Sequence, residues 1–387
     1  MERVAIVGVG YTSFSSMTPD VSFQEMIFEA AVKAYEDAGV DPVRDVGSFV
    51  SCAEDYLEGY SIFDEFVPDQ LGGLLKPVCT VSADGIFGLI TAYMHIASGL
   101  VDIAVVEAHS KASDLLTYDG VLTFALDPIF HRPLKIHPHA LAGMEMNRYL
   151  CETGTTEEQC AMVVAQNKYN ALDNPLAVYG ANIGVEEVLE SKVVFYPLKE
   201  LEISPLADGA IVMVLASEQR AKELTDTPIW ISGVGWCSDT PQLECRDWSD
   251  AIYACLAAEM AYRMAGIRTP SREVDLAEVD DRFAYKQLQH MEALRLCGRG
   301  EAGALVEEGM TARDGDLPVN VSGGSLGVGY LLEACGLHKV LELVLQLRGE
   351  AGKRQVPDAE VGLAQCWRGF PTATGAVVIL SREGGKP

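Results

Sequence analysis

The chain has 387 residues and a formal net charge of −27, with 29 Lys and Arg residues against 56 Asp and Glu residues. This composition argues against nucleic acid as the main partner, because phosphate binding needs clusters of Lys and Arg that displace counterions. It also argues against an anionic membrane surface, and no apolar run reaches the roughly 18 residues that a membrane-spanning helix requires. The first residues, MERVAIVGVG, lack the basic and apolar regions of a signal peptide. We therefore expect a cytoplasmic protein that binds neither nucleic acid nor membrane.

The cysteines and histidines do not form a known metal-binding motif. The ten cysteines lie singly, without a Cys-x-x-Cys pair, so most of them should be reduced and buried. His131, His137 and His139 form the densest group of histidines, within the Pro-rich segment FHRPLKIHPHA. Imidazoles in such a loop are more often solvated or hydrogen bonded than metal-bound. We expect no bound metal.

The first elements predicted are a strand and a helix. Residues 4–9, VAIVGV, are typical of a buried β-strand. An amphipathic helix from Ser22 to Ala38 follows, because Ser22 and Glu25 form a capping-box pattern and Gly39 suits the left-handed residue after a helix. The GVGYTS sequence after the strand lacks the third glycine of a dinucleotide-binding motif.

Part of this region occurs a second time. The segment AAVKAYEDAGVDPVRDV, which starts at Ala30, is similar to AAEMAYRMAGIRTPSREV, which starts 227 residues later at Ala257. Each copy follows an apolar strand that contains glycine, VAIVGVG in the first case and PIWISGVGW in the second. A repeat of strand, helix and terminal glycine predicts an α/β protein with duplicated halves. We place these halves at residues 1–225 and 226–387.

The first half contains two further features. The segment GIFGLITAYMHIA, from Gly85 to Ala97, is apolar nearly all round, as expected of a helix between two sheets, and Ile103 to Val106 predicts a central strand. Residues 110–200 then interrupt the half with Pro-rich turns and a helical stretch. Such an insertion usually covers a binding site.

Seven segments, in this order, resemble the thiolase superfamily, and specifically its sterol-carrier and archaeal thiolase-like branch. They are SADGIFGLITAYMHIASGLVD, TGTTEEQ with NPLAVYG, SPLADGAIVMVLAS, EVDDRFAYKQL, LPVNVSGGSLGVGYLLEACG, QLRGEAGKRQV and the closing Cys-x-x-Gly. The resemblance spans nearly the whole chain. It implies an α/β thiolase fold, in which duplicated halves form a five-layered αβαβα sandwich with two five-stranded sheets. It also implies an acyl-CoA substrate, with coenzyme A as part of that substrate and no covalently bound cofactor.

The resemblance locates three catalytic positions, two of which differ from the family pattern. Family enzymes carry a nucleophilic Cys in C-A-S-G, a His in G-H-P, and a second Cys or His in the closing motif. Here the first position is Ser82, an alcohol that needs a positioned base, and the second is Tyr330, a phenol that donates a proton more readily than it accepts one. Cys366 retains the third position, as an acid, a base, a displaced nucleophile or an inert buried thiol.

Other candidate residues follow from the same motifs. Asn320, in VNVSGG, is expected to orient a water molecule or donate to a thioester oxyanion, or else to cap a turn. Asp280 and Asp281 follow a predicted strand, and one of them, which we assign as Asp281, could be the base for a substrate hydroxyl. Glycines that could allow the backbone to approach the substrate or CoA are Gly323, Gly324 and Gly369.

The missing nucleophile favours a carbon–carbon lyase. The pattern is similar to the steroid side-chain aldolases of this superfamily, which have a Tyr at the position of Tyr330 and also a Tyr at the position of Asp280. Retro-aldol cleavage of a bulky β-hydroxyacyl-CoA, such as a steroid side chain, needs a base and donors to an enolate, but no acyl-enzyme. The alternatives are a divergent thiolase that cleaves a β-oxoacyl-CoA such as benzoylsuccinyl-CoA, and a scaffold subunit without catalysis.

The resemblance also implies partners. Thiolase-fold enzymes are at least dimers, so we expect a homodimer. Members of this branch often bind a small protein with an oligonucleotide-binding-type (OB-fold) barrel and a zinc ribbon, which helps bind CoA. A basic partner of this kind would supply the positive charge that this acidic chain lacks.

Overall fold

The computed structural model describes residues 2–54 and 62–383. The strands are β1 (Val4–Tyr11), β2 (Ser48–Cys52), β3 (Val78–Val81), β4 (Ile103–Lys111), β5 (Val193–Phe195), β6 (Leu198–Lys199), β7 (Asp208–Ser217), β8 (Ile229–Ser238), β9 (Leu276–Glu278), β10 (Val361–Trp367) and β11 (Thr374–Ser381). The helices are α1 (Phe23–Ala38), α2 (Pro42–Asp45), α3 (Phe63–Phe66), α4 (Pro68–Leu71), α5 (Gly85–Ala97), α6 (Tyr118–Leu122), α7 (Pro138–Thr153), α8 (Glu157–Ala171), α9 (Val185–Glu190), α10 (Glu218–Leu224), α11 (Ile252–Ala265), α12 (Pro270–Glu273), α13 (Ala284–Ala293), α14 (Ala302–Glu307), α15 (Gly324–Val328) and α16 (Cys335–Arg348).

Nine strands form one mixed sheet in the order β3-β2-β4-β7-β1-β8-β11-β10-β9. Its first five strands belong to the first half of the chain and its last four to the second. The two halves join where β1 pairs with β8, through Ala5 with Trp230 and Ile6 with Ile229. The expected fifth strand of the second half is absent from the described residues, where Val319 forms a single bridge to Ala277. The chain leaves the extended conformation directly afterwards, because Asn320 has a φ of +52°.

Three apolar clusters separate five layers. One cluster packs α1 against first-half strands through residues such as Ala5. The central cluster contains α5 and α16 together with Ile6 of the first half and Val378 of the second. The third packs α11 and α13 against second-half strands, with Val377. Neighbouring residues such as Ala5 and Ile6 enter different clusters because side chains alternate across a strand. The predicted α/β thiolase sandwich is confirmed.

Both halves pack strand against helix through glycine. A Cβ atom at Gly10 of β1 would lie 2.0 Å from the Ala30 carbonyl oxygen of α1, and one at Gly235 of β8 would lie 2.1 Å from the Ala257 carbonyl oxygen of α11. Any larger residue would therefore push the helix away from the sheet. Ala30 and Ala257 are the residues at which the two similar segments begin, so the repeated sequence corresponds to a repeated contact. The boundary between the halves at residues 225 and 226 stays a prediction.

The predicted helix ends are found where local hydrogen bonds favour them. Ser22 and Glu25 form the capping box of α1, and Gly39 ends the helix with a φ of +66°. The apolar helix α5 spans Gly85–Ala97 as predicted, with Asp84 as its N-cap. Within residues 2–54 and 62–383, no helix is both long enough and apolar enough to cross a bilayer.

Candidate active site

A cavity of about 880 Å³ opens between the two halves and part of the insertion. The start of α5 contributes Ser82 and Asp84, α6 contributes Tyr118, and the segment before α16 contributes Tyr330. The closing motif provides Gly369. Much of the remaining wall is apolar, with the side chains of Val121, Leu122, Phe124, Ala125, Leu332 and Phe370. Among the described residues that line the cavity, none is a cysteine or a histidine.

The hydroxyl of Tyr330 is held by a buried arginine. Arg282 Nη1 donates a hydrogen bond to Tyr330 Oη at 3.1 Å. The Arg282 guanidinium also lies 4.3 Å from the centre of the Tyr330 ring and 5.3 Å from that of Tyr118. Burial raises the pKa of Tyr330 well above its ordinary value, although the Arg282 charge opposes this shift. Tyr330 is therefore a neutral phenol at neutral pH, and a further hydrogen bond joins it to the Tyr118 side chain.

Gly369 leaves room for this arrangement. A Cβ atom at residue 369 would lie 2.5 Å from Arg282 Nη1 and 3.9 Å from Tyr330 Oη. The glycine also has a φ of +91°, a conformation that other residues rarely adopt. Gly369 therefore lines the cavity at a point close to both the Arg282 guanidinium and the Tyr330 hydroxyl.

Ser82 lies at the exposed side of the cavity. Its hydroxyl donates to Glu54 Oε2 at 3.5 Å, and Glu54 also pairs with Arg368. A serine becomes a strong nucleophile only when a base removes its proton, usually a histidine that is itself oriented by a third group. Ser82 instead bonds to the carboxylate of Glu54, which is already paired with Arg368.

Asp84 is a second acid–base group in the cavity. It accepts hydrogen bonds from the amide of Ile86 at 3.0 Å and from the amide of Gly336 at 2.9 Å. Burial raises the pKa of Asp84 to about 6, while these amides, Lys339 and the Cys366 thiol lower it. Asp84 is thus an ionised carboxylate at pH 7 whose pKa lies near the working pH, as suits a general base.

Cys366 lies behind Asp84 and is fully buried rather than exposed to the cavity. Burial raises the pKa of its thiol well above the ordinary value, and the negative charge of Asp84 and a hydrogen bond to it act in the same direction. A thiol in this environment stays protonated and is a poor nucleophile. The predicted chemical role of Cys366 remains a prediction; the contacts are those of a donor to Asp84.

Asn320 and Asp281 lie outside the cavity, in the packed loops around α15. Asp281 accepts hydrogen bonds from the amides of Ser325 at 2.6 Å and Leu326 at 3.1 Å, so it caps α15. Asn320 accepts from the amide of Val279 at 2.8 Å and donates to another side chain. These bonds occupy the groups that were expected to act on substrate.

The neighbouring glycines and Asp280 are packed in the same region. A Cβ atom at Gly324 would lie 2.1 Å from Asp281 Oδ2, and one at Gly323 would lie 2.6 Å from the Cβ of Ala171. Asp280 is buried, and its Oδ1 accepts from the Arg282 amide at 3.2 Å. We expected one of the two adjacent aspartates to enter the site, but neither lines the cavity; the next residue, Arg282, reaches Tyr330 instead.

Three polar groups at the cavity were not expected from the sequence. Arg282 directly follows Asp280 and Asp281. No sequence motif in this chain links it to Tyr330, which lies 48 residues further on. Tyr118 lies in the insertion, and it reaches the cavity only because that segment folds back over the two halves. Asp84 directly precedes the apolar run that forms α5, and a carboxylate at the start of a buried apolar helix is a signal for a raised pKa.

Comparison with known proteins agrees with the fold and with the superfamily. A family model described as "Thiolase C-terminal domain-like" matches residues 237–382. The acetyl-CoA acetyltransferase of Methanothermobacter thermautotrophicus is 37% identical over 390 residues, covering 99% of this chain and 100% of that protein. The benzoylsuccinyl-CoA thiolase subunit BbsB of Thauera aromatica is 28% identical, covering 92% of this chain and 91% of that protein.

A solved structure described as the Ltp2-ChsH2(DUF35) aldolase has a TM-score of 0.83 and 25% identity, covering 98% of each chain. The fold, the order of its motifs and a full-length relative at 37% identity lead to one conclusion. This chain belongs to the thiolase superfamily and is an enzyme of that superfamily.

Proposed function

We propose that this enzyme cleaves a carbon–carbon bond of a β-hydroxyacyl-CoA by a retro-aldol reaction. The observation that carries the proposal is the Arg282–Tyr330 hydrogen bond of 3.1 Å in a cavity that has Ser82 in place of the usual cysteine. Retro-aldol chemistry needs a base for the β-hydroxyl proton and donors for a developing enolate, but no covalent acyl-enzyme. The polar groups of this cavity match those two needs.

Asp84 and Tyr330 have environments that suit opposite roles. Asp84, with a pKa of about 6, is ionised at neutral pH and takes the β-hydroxyl proton. Tyr330 is neutral because burial raises its pKa, so it donates a hydrogen bond to the thioester oxygen. Arg282 supports that phenol with its positive charge. A carboxylate that is ionised and a phenol that is neutral at the same pH can serve as a base and an acid in one site.

The bond changes balance without a cofactor. Proton transfer from the β-hydroxyl to Asp84 accompanies rupture of the Cα–Cβ bond. The bonding electron pair moves to Cα and the thioester oxygen as an enolate, while Cβ becomes a carbonyl carbon. The proton that Asp84 has taken is then returned to Cα, directly or through water, which restores the carboxylate, yields the shortened acyl-CoA and releases an aldehyde or ketone.

The cavity wall favours a bulky apolar acyl group. Phe124 and Leu122 of the insertion face Leu332 and Phe370 of the second half across a space of about 880 Å³. Burying such a group releases roughly 25 cal/mol for each Å² of apolar surface removed from water. A ring system or steroid side chain would fill this space.

A divergent thiolase is the second candidate. It is favoured by the similarity to an acetyl-CoA acetyltransferase and to a benzoylsuccinyl-CoA thiolase subunit. This reaction would need Cys366 or Ser82 as nucleophile and free CoA as acceptor. The buried, protonated state of Cys366 and the exposed position of Ser82 are less suited to it.

A product assay separates the two reactions. The purified enzyme is incubated with a β-hydroxyacyl-CoA and with a β-oxoacyl-CoA that both carry a ring-containing acyl group, each with and without free CoA. We expect cleavage of the hydroxy compound that does not depend on free CoA. Cleavage of only the oxo compound, and only with free CoA, would establish the thiolase instead.

We also propose a homodimer that binds a small basic OB-fold partner with a zinc ribbon. The Ltp2 aldolase structure includes ChsH2(DUF35), and BbsB is named as a subunit. The charge of −27 leaves this chain poorly suited to hold CoA phosphates by itself. Light scattering gives the mass of the purified chain, and tight CoA binding by that chain alone would argue against the partner.

A further inference from the structure

Three possible metal ligands meet where the insertion passes the cavity. Asp119 belongs to α6, His137 is the N-cap of α7, and His139 lies in its first turn. One ligand atom from each lies within 4.8 Å of the others. His137 Nε2 is 3.1 Å from Asp119 Oδ2, and the His137 and His139 ring centres are 4.9 Å apart. All three side chains are half-buried.

These donors have the chemistry of a transition-metal site. Two imidazoles and one carboxylate suit Zn²⁺, Co²⁺ or Fe²⁺, whereas Mg²⁺ and Ca²⁺ prefer oxygen ligands. Within the described part of the chain, the ring nitrogens of His139 have no hydrogen-bond partner, and its ring packs edge-on against Phe283 at 5.9 Å. A half-buried imidazole without a partner, beside a second imidazole that is bound to a carboxylate, is a ready ligand.

The geometry points to a binding site for one divalent transition-metal ion, formed by Asp119, His137 and His139, which ties α6 to the start of α7. Ligand atoms around a tetrahedral ion are about 3–3.5 Å apart, so a pair of donors at the 4.8 Å limit would need to approach by about 1.3–1.8 Å, whereas His137 Nε2 and Asp119 Oδ2 are already at 3.1 Å. The segment that α6 begins also supplies Tyr118 and Val121 to the cavity. The ion therefore holds a wall of the cavity in place, and water can fill its remaining coordination position.

Two neighbouring groups weaken the binding of a metal ion at this site, namely the His139 amide and the Arg282 guanidinium. His137 Nδ1 accepts the His139 amide at 3.1 Å, so the ring carries its proton on Nε2, facing Asp119. The ion has to displace that proton to Nδ1, which breaks the bond to the amide, because a neutral imidazole ligand keeps one ring proton. The positive charge of Arg282 also acts on His139. The carboxylate of Asp119 compensates for these effects.

The test is direct metal binding to the full chain. Protein is treated with a chelator, dialysed and titrated with Zn²⁺ in a calorimeter, and Co²⁺ is added separately to record the visible spectrum of the coordinated ion. We expect one Zn²⁺ per chain for the wild type. Asp119→Asn and His139→Gln should each lower the affinity by about 10-fold or more.

His131→Gln is the matched control, because His131 lies in the same segment and pairs with a different carboxylate, Glu244, at 2.8 Å. It should bind Zn²⁺ like the wild type. Circular dichroism shows that each variant is folded, and His137 is left intact because it caps α7. The proposal is wrong if the folded wild type binds no Zn²⁺. It is also wrong if Asp119→Asn and His139→Gln both bind Zn²⁺ as the wild type does, or if His131→Gln weakens binding as much as these two variants do. None of these results depends on the reaction the enzyme catalyses.

Discussion

The carboxylate of Asp84 accepts a hydrogen bond at 2.9 Å from the amide of Gly336, although the two residues are 252 positions apart in the chain. Asp84 caps α5 of the first half, and Gly336 lies in the first turn of α16 of the second. A Cβ atom at residue 336 would lie 1.9 Å from Asp84 Oδ1, so only glycine allows this approach. The contact between the halves thereby fixes the proposed base at the inner end of the cavity.

Replacement of Tyr330 by Phe should lower kcat by about 10²-fold or more, because the hydrogen bond from the phenol to the thioester oxygen strengthens as the enolate forms. The Michaelis constant should change much less, since the ring and its packing remain. Steady-state kinetics with a β-hydroxyacyl-CoA measure both quantities. Tyr35→Phe is the control, as Tyr35 is a buried tyrosine of the outer helix α1 that binds the Leu71 carbonyl oxygen at 2.7 Å. An equal loss in both variants would contradict the role of Tyr330.

Asp84 should give the reaction an acidic limb in its pH profile. As a base it must be ionised, so kcat/KM should fall as pH drops through about 6. Burial raises the folded pKa from 3.8 to about 6, so ionised Asp84 lowers stability, and this loss develops as pH rises from about 4 to about 6. Asp84→Asn should reduce kcat/KM by about 10²-fold or more and remove the acidic limb, and circular dichroism at pH 7.5 checks that the variant is folded. An unchanged pH profile in a folded Asp84→Asn enzyme would assign the base elsewhere.

Replacement of Cys366 by Ala should leave most of the activity if no acyl-enzyme forms. The thiol donates to Asp84 and lowers the pKa of that carboxyl, so its loss should move the acidic limb of the profile to higher pH. We expect kcat at pH 8 to fall by less than about 10-fold. Intact-mass spectrometry during turnover should show no acyl group on the protein, and an adduct on Cys366 or Ser82 would support the thiolase instead.

Gly369→Ala should disrupt the site more than the fold. The added Cβ would lie 2.5 Å from Arg282 Nη1, which would displace the guanidinium from Tyr330. Gly39→Ala is the matched control, since Gly39 also has a positive φ, of +66°, but no atom lies within 4 Å of an added Cβ. Both variants should lose about 1 kcal/mol of stability, and only Gly369→Ala should lower kcat, by about 10-fold or more. Equal activity in the two variants would remove Arg282 from the proposed reaction.

Local features of the chain were predictable because they depend on neighbouring residues. The ends of α1 and α5 follow from the capping box at Ser22 and from the apolar run that begins at Gly85, and both helices are found where expected. The duplicated glycine-and-alanine contact could also be anticipated from the repeat. The absence of a fifth strand in the second half could not be predicted locally, because a strand forms only where it pairs with a neighbouring strand. Here the chain makes one bridge, at Val319, and then turns at Asn320.

By itself, the sequence determined the superfamily and the layered fold, and it led to the prediction that Ser82 and Tyr330 stand at two of the family's catalytic positions. Only the tertiary structure decided which groups meet in the cavity: it assigned Asp281 to a helix cap, buried Cys366, and brought Arg282 to Tyr330 and Asp119 to His137. The physical reason is distance along the chain. Helix caps and strand patterns arise from hydrogen bonds within a few residues, whereas a side chain's charge and partners depend on segments that meet only after the halves have packed.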